Sequence, residues 1–143
     1  MHENREFLNF IYQNAEMGTT TLPRLLETVT EESLRRHLQE QLRDYTEIAR
    51  QAERLMTEQG GTVKEVGTVQ KMGAGMMTAM QTMKDDSPSH VAEMLIKGSN
   101  TGLIELRRHL NQYPQADPRI TGLAEQLERV EQRNLDSLKP YLR

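Results

Sequence analysis

The sequence predicts an all-α protein in which four long helices form a bundle of two hairpins, with an extra methionine-rich helix in the crossover between them. Three observations support this fold class. The composition favours helix formers and contains only 4% aromatic residues. Apolar residues recur at helical spacing, and capping residues, glycines and prolines divide the chain. Its 143 residues suit a single domain, which we expect to span 1–143.

The first helix is expected at 4–28. Its apolar residues fall on one face at steps of three, four and seven, and they are Phe7, Ile11, Leu22, Leu25 and Val29. Pro23 lies inside this segment and lacks a backbone N–H group. The helix therefore either kinks at Pro23 or divides into two pieces between Gly18 and Leu22.

The second helix is expected at 31–59, and the sequence Thr28-Val-Thr-Glu31 before it is typical of a capping box. Gly60-Gly61 ends this helix, because glycine readily adopts the left-handed conformation found at helix C-termini. A second capping-box sequence, Thr62-Val-Lys-Glu65, predicts that the methionine-rich helix occupies 63–84.

A capping residue followed by proline starts each remaining helix. Ser87-Pro88 predicts a helix at 88–113, and Asp117-Pro118 predicts one at 118–138. The first two and last two long helices then form hairpins, joined by a connection of roughly 27 residues, an arrangement typical of bundles with one long crossover.

Charge and composition exclude several classes of protein. The formal net charge of −3 comes from 18 basic and 21 acidic residues, so we expect no nucleic-acid partner. No run approaches the roughly 18 apolar residues of a membrane span, and we expect no membrane association. The absence of cysteine excludes disulfides and thiolate metal sites. The amino terminus lacks an apolar signal segment, which favours a cytoplasmic location.

Four sequence features carry a resemblance to a known family, and they are Asn14-Ala-Glu-Met-Gly18, the Gly60-Gly61 turn, the segment 72–83 and Lys97-Gly-Ser-Asn-Thr-Gly102. With these features the chain resembles the ferritin-like superfamily over nearly its whole length. It is most similar to a branch of small bacterial proteins that carry a short helix in the long crossover. The resemblance implies a four-helix bundle and, from the metal-bearing members, a di-iron or di-manganese centre with redox chemistry.

A centre of that kind uses one Glu from each of two helices and a Glu-x-x-His pair from each of the other two. The histidines are His2, His37, His90 and His109, and none follows a glutamate by three residues. The nearest sequences are Glu47-Ile-Ala-Arg50 and Glu131-Gln-Arg-Asn134, in which arginine cannot bind a metal. We therefore expect no metal, no cofactor and no catalytic residue. The alternative, a divergent oxidoreductase or iron-handling protein, would bind iron or manganese through Glu16, Glu47, Glu105 and Glu131.

The interpretation that we favour is a metal-free interior whose ligand layer has been replaced by neutral hydrogen-bonding groups. The candidates are Asn14, Gln41, Tyr45, Ser99 and Asn134, with Glu105 or Glu131 as the acceptor. Helical-wheel positions turn Glu16 and Glu47 away from this layer. Gly18, Gly98 and Gly102 would let two helix backbones approach closely.

Two further features allow more than one interpretation. Glu105 and His109 could form a metal clip or an acid–base pair, or make an ordinary contact one helical turn apart. The methionine stripe of the crossover contains Met72, Met76, Met77, Met80 and Met83. We expect it to pack on the core, while a partner surface and a copper(I) site at Met72, Met76 and Met80 are the alternatives. The function predicted is that of a structural or interaction protein that associates with itself or with another protein.

Overall fold

In a computed structural model that describes residues 2–63, 80 and 83–143, the chain is helical and contains no strand within those ranges. The four α-helices are α1 (His2–Thr28), α2 (Glu32–Glu58), α3 (Pro88–Gln112) and α4 (Pro118–Leu138), and a 3-10 turn follows at Lys139–Tyr141. The all-α class and the four long helices are confirmed, and each helix end lies within two residues of its predicted position.

The helix predicted at 63–84 falls largely outside the described residues. Met80 is helical, whereas Val63, Met83 and Lys84 are not, and the bounds of this helix stay a prediction. After this segment, the carboxylate of Asp85 accepts a hydrogen bond of 2.9 Å from the backbone N–H of Ser87. Local turns of this kind compete with helical hydrogen bonding.

Two of the predicted helix starts are confirmed in detail. Ser87 Oγ accepts from the N–H of His90 at 3.3 Å, Asp117 Oδ1 accepts from the N–H of Arg119 at 2.8 Å, and proline follows each cap. Each cap satisfies one of the N–H groups that a helix N-terminus leaves unpaired.

The capping box predicted at Thr28–Glu31 is wrong. Glu31 itself caps α2, because its two carboxylate oxygens accept from the N–H groups of Ser33 and Leu34, whereas Thr28 is the last residue of α1. The longer Glu side chain thus bends forward over the first turn. This leaves Thr28 free to donate to the backbone oxygen of Leu25 in its own helix.

Helix α1 continues through Pro23 without a break. Pro23 is exposed, so water can hydrogen-bond to the backbone carbonyl whose usual partner the proline lacks. At the end of α2, Gly60 has a φ of +76°, which confirms the predicted left-handed turn. The guanidinium of Arg5 donates to the backbone oxygen of Gln59 at 2.7 Å and ties this turn to the start of α1.

Contacts at the two ends of the molecule establish the helix directions. The N–H of Asp117 donates to Asn4 Oδ1, which places the start of α4 beside the start of α1. The N–H of Arg143 donates to Ser89 Oγ, which places the end of the chain beside the start of α3. Helices α1 and α4 therefore run in one direction, and α2 and α3 run in the other. Helix α1 packs mainly on α2, and α3 packs mainly on α4.

All four helices contribute to one hydrophobic core. Its fully buried side chains include Phe7, Leu8, Ile11, Leu34, Leu38, Ile48, Leu106, Ile120 and Leu127. Each such side chain contributes roughly 1.5–3 kcal/mol by leaving water. Within the described ranges, none of the helices combines the length and the apolar character needed to cross a membrane.

Candidate functional site

Polar side chains from all four helices meet inside the bundle. We call this group the polar layer, and its members are Asn14 of α1, Gln41 and Tyr45 of α2, Ser99 of α3, and Glu131 and Asn134 of α4. Five of the six are buried, and Ser99 is half-buried. Since buried polar groups need hydrogen-bond partners, their meeting here is the feature of the interior that most requires explanation.

Glu131 is the only acidic residue among the buried side chains of the described chain, and it is 3% exposed. Burial raises the pKa of its carboxyl group well above the ordinary value, and the charge of Glu128 adds to this rise. A hydrogen bond with the side chain of Asn14 opposes the rise but does not cancel it. The low-dielectric interior therefore favours the protonated, neutral form of Glu131.

Asn14 links Glu131 to α3. Besides its hydrogen bond with Glu131, its Nδ2 donates to the backbone oxygen of Gly102 over 3.4 Å. A β-carbon on residue 102 would lie 2.9 Å from Glu131 Oε1 and 3.3 Å from Asn14 Nδ2, both closer than side chains normally pack. The absence of a side chain at Gly102 therefore allows the carboxyl group of Glu131 to lie against α3.

Tyr45 occupies the other side of the layer, where its ring lies against Gly18 of α1. Burial and the nearby charge of Glu131 raise the pKa of the Tyr45 hydroxyl, while interactions with the side chains of Asn134 and Ser99 partly oppose that rise. The phenol therefore remains protonated. The close approaches at Gly18 and Gly102 are made by side chains, and not by a second helix backbone as the sequence indicated.

A cavity of about 40 Å³ adjoins the polar layer between the helices. Its polar lining includes Asn14, Thr21, Gln41, Tyr45, Ser99 and Glu131, and its apolar lining includes Met17, Leu22 and Leu95. Sequence reasoning missed Thr21, although its position three residues after Gly18 and seven after Asn14 places it on the same helix face.

The four glutamates of the di-metal alternative do not come together. Glu47 is exposed, accepts from Gln51 Nε2 at 3.2 Å and lies 3.6 Å from the guanidinium of Arg50. Glu16 is half-buried. Within the part of the chain that the structure describes, no three His, Asp or Glu side chains are placed to hold a metal ion. These residues do not fit a di-metal centre.

Glu105 is half-buried and lies at the edge of the inner face of α3. Its carboxylate is 40% exposed and lies 3.8 Å from the guanidinium of Arg108. Gly102 and Leu106 are buried in this stretch, whereas Glu105 is not among the buried residues of α3. Of the two acceptors proposed for the layer, Glu131 is therefore the one that lies in it.

His109 is held by a hydrogen bond to the main chain and by stacking on an aromatic ring. Its Nδ1 lies 2.8 Å from the backbone oxygen of Glu105, and its ring stacks on Phe10 with a centroid separation of 3.8 Å. Tyr113 lies beside this pair, and its hydroxyl donates to Glu6 at 2.8 Å. His109 thus bonds the main chain of Glu105, which does not correspond to the acid–base pair considered from the sequence.

The methionine stripe is described at only two of its five positions. Met80 and Met83 are partly buried and pack against the core, in agreement with the core interpretation for these two residues. Met72, Met76 and Met77 lie outside the described residues. The copper(I) site and the partner surface therefore stay predictions.

No protein-family model matches this chain, and neither the curated proteins nor the solved structures contain a match to it.

Proposed function

We propose that this chain is a ferritin-like bundle without a di-metal centre, and that it acts as a non-catalytic structural or interaction protein that self-associates. The observation that carries the proposal is the polar layer. It contains one carboxyl group, Glu131, in the interior where metal-bearing members of that superfamily hold several, and neutral side chains from all four helices surround it.

The helix directions support the ferritin-like part of the proposal. Helix α2 ends beside the start of α1, whereas α3 begins at the opposite end of the molecule. The end of α2 and the start of α3 are therefore separated by about the length of α2, whose 27 residues extend about 40 Å. Two antiparallel hairpins joined by one long crossover are the arrangement of ferritin-like bundles.

The charge balance of the interior supports the metal-independent part. A di-metal centre needs several carboxylates whose negative charge the cations neutralise. Here Glu47 is exposed and Glu105 is half-buried, each lies beside an arginine, and the environment of Glu131 favours its neutral form. A neutral layer of amide, hydroxyl and carboxyl groups is stable without a cation when its members find hydrogen-bond partners.

The methionine stripe supports the association part. Met80 and Met83 pack against the core, so this portion of the crossover lies on the bundle. The predicted stripe continues through Met72, Met76 and Met77, and thioether side chains adapt readily to an opposing surface. We propose that these three residues contact a second copy of the chain, since a crossover on the outside of a bundle is readily shared between subunits.

Metal content tests the first part. Protein purified without chelator, as the wild type, Glu131→Gln and the surface control Glu47→Gln, is analysed for iron and manganese. We expect far less than one metal atom per chain in all three. About two metal atoms per chain in the wild type, with loss in Glu131→Gln and retention in Glu47→Gln, would overturn the proposal in favour of a di-metal protein.

Light scattering over a range of concentrations tests self-association. We expect a dimeric mass for the wild type and a monomeric mass for Met76→Glu. Thr78→Glu, on the predicted polar face of the same segment, serves as the matched control and should remain dimeric. A wild type that stays monomeric at every concentration would contradict this part of the proposal, as would a dimer that Met72→Glu and Met76→Glu leave intact.

A further inference from the structure

Three polar atoms on three different side chains line the same cavity without a partner. Thr21 Oγ1, Gln41 Nε2 and Glu131 Oε2 have no hydrogen-bond partner among the described residues. All three side chains line the cavity beside the polar layer, and their residues are 1%, 3% and 3% exposed. They come from α1, α2 and α4, so three helices each contribute a residue with an unsatisfied polar atom to the lining of one cavity.

We infer that this cavity between the helices is a binding site for a small uncharged molecule that both donates and accepts hydrogen bonds. Water and a small alcohol or primary amide share this chemistry. The inference goes beyond the proposed function, because the site would exist whether or not the protein self-associates.

The hydrogen-bonding groups select that chemistry. Gln41 Nε2 can only donate, the Thr21 hydroxyl can donate or accept, and the neutral carboxyl group of Glu131 has one O–H donor together with acceptor oxygens. A molecule that carries both an acceptor and a donor can pair with all three groups, whichever oxygen of Glu131 holds the proton. A metal ion or an ammonium ion would face the N–H groups of Gln41, to which neither can bind.

The charges of the residues that line the cavity also argue against a bound ion of either sign. Among the described residues, no Lys, Arg or His side chain lines this cavity, so a buried anion would have no counter-charge there. The buried carboxyl group of Glu131 would gain from a cation only in its ionised form, and burial opposes that form. An uncharged ligand avoids both difficulties.

The volume of the cavity indicates the size of the molecule that it can hold. A buried water needs roughly 10–15 Å³ of cavity volume, so about 40 Å³ holds roughly three or four water molecules. Methanol or formamide, with two or three non-hydrogen atoms, is of similar size. The apolar lining by Met17, Leu22 and Leu95 can contact the carbon of such a molecule while its polar atoms face Gln41 and Glu131.

A high-resolution crystal structure, with crystals grown alone and soaked in formamide, tests the inference. In the wild type we expect a bound molecule within hydrogen-bond distance of Gln41 Nε2, Thr21 Oγ1 and Glu131 Oε2. Ordered water there assigns the site to water. Its replacement by formamide assigns the site to a small amide as well, and both results support the inference.

Variants connect the bound molecule to the named atoms. Thr21→Val keeps the shape of the side chain and removes its hydroxyl, and we expect the bound molecule to lose occupancy or shift away from α1. Gln41→Leu should remove it. Should Gln41→Leu not fold, Thr21→Val alone still decides the question. The matched control is Thr101→Val, which alters an exposed threonine of α3 and should leave the site unchanged.

Two results would overturn the inference. One is a structure in which the three atoms bond directly to one another or to other residues of the chain, with no bound molecule. The other is a metal or ammonium ion at this position, detected by anomalous scattering or by a thermal shift with ammonium that formamide and methanol fail to produce.

Discussion

Gly18 of α1 lies directly against the aromatic ring of Tyr45 of α2. A β-carbon on residue 18 would lie 2.6 Å from Cγ and 2.9 Å from Cε2 of that ring, far inside van der Waals contact. The missing side chain lets the ring enter the interior, where its hydroxyl interacts with Ser99 and Asn134. A glycine inside a helix costs about 1 kcal/mol of helix propensity, and this packing offsets that loss.

Gly18→Ala should therefore destabilise the protein even though alanine favours helix formation. Because Tyr45 is buried and cannot move freely away, we expect a loss of about 1–3 kcal/mol in the free energy of unfolding, as is usual for overpacked cores. Denaturant titration followed by circular dichroism measures the change. Gly122→Ala is the matched control, since a β-carbon at position 122 of α4 would meet nothing within 4 Å.

The control should gain up to about 1 kcal/mol from the better helix propensity of alanine. A Gly18→Ala variant that is equally stabilised would show that Tyr45 does not pack against α1 in solution.

The ionisation of Glu131 should make the protein less stable as the pH rises. Burial raises the pKa of Glu131 in the folded state above its unfolded value. Between those two values the folded state binds more protons than the unfolded state. The free energy of unfolding then falls with increasing pH by up to about 1.4 kcal/mol per pH unit, from the unfolded pKa until the folded pKa is passed. Below the pKa of Glu131 in the unfolded chain, the carboxyl group is protonated in both states and the free energy of unfolding no longer depends on its ionisation.

Glu131→Gln removes this ionisation while keeping the size and polarity of the side chain. We expect the difference in unfolding free energy between Glu131→Gln and the wild type to grow in favour of the variant as the pH rises from about 4 towards neutral. Glu47→Gln, at an exposed position, controls for the loss of a negative charge. A difference that does not depend on pH would contradict the burial of an ionisable Glu131.

Tyr45→Phe removes the hydroxyl group and retains the ring against Gly18. Ser99 and Asn134 then lose an interaction partner inside the bundle, for which a destabilisation of about 1–3 kcal/mol is expected. Chemical denaturation of the two proteins gives this value. Tyr12→Phe provides a comparison at a second buried tyrosine outside the polar layer.

The same tyrosine should resist titration. The pKa of Tyr45 is raised by burial, so its phenolate absorbance should develop only when the protein unfolds in alkali. The amplitude of the alkaline titration of native protein should therefore be the same for the wild type and Tyr45→Phe. A native-state amplitude that is smaller in Tyr45→Phe would show that the hydroxyl is accessible to solvent.

Ser87→Ala should weaken the start of α3. The Ser87 hydroxyl oxygen accepts from the N–H of His90, and loss of such a cap typically costs about 1 kcal/mol. Ser87→Asp should restore most of the stability, because aspartate is an equally good cap and its charge favours a helix N-terminus. Thermal unfolding of the three proteins measures the order. Equal stability of all three would contradict a capping role.

Much of the fold could be predicted because its signals are local. The ends of α4 and the proline-preceded caps Ser87 and Asp117 depend on residues one to three positions apart, so the chain itself specifies them. The continuity of α1 through Pro23 could not be predicted from the neighbouring residues. Whether a missing hydrogen bond breaks a helix depends on whether solvent can replace it, and that depends on which side of the helix faces the core.

The site was predictable in its composition but not in its arrangement. Asn14, Gln41, Tyr45 and Asn134 all lie in the interior, as their helical positions indicated. Of the two acidic candidates, helical periodicity could not separate Glu105 from Glu131, because both stand near the boundary of an apolar face. Only the packing of the helices leaves Glu105 half-exposed beside Arg108 and buries Glu131.

By itself, the sequence determined that this chain is helical, where its four long helices begin and end, and which polar residues face inward, since capping and periodicity act within a few residues. Tertiary structure alone decided that the ring of Tyr45 and the carboxyl group of Glu131 fill the spaces left by Gly18 and Gly102. The burial of Glu131, its protonation and the cavity beside it depend on contacts between helices that are far apart in the sequence. No local sequence pattern specifies those contacts.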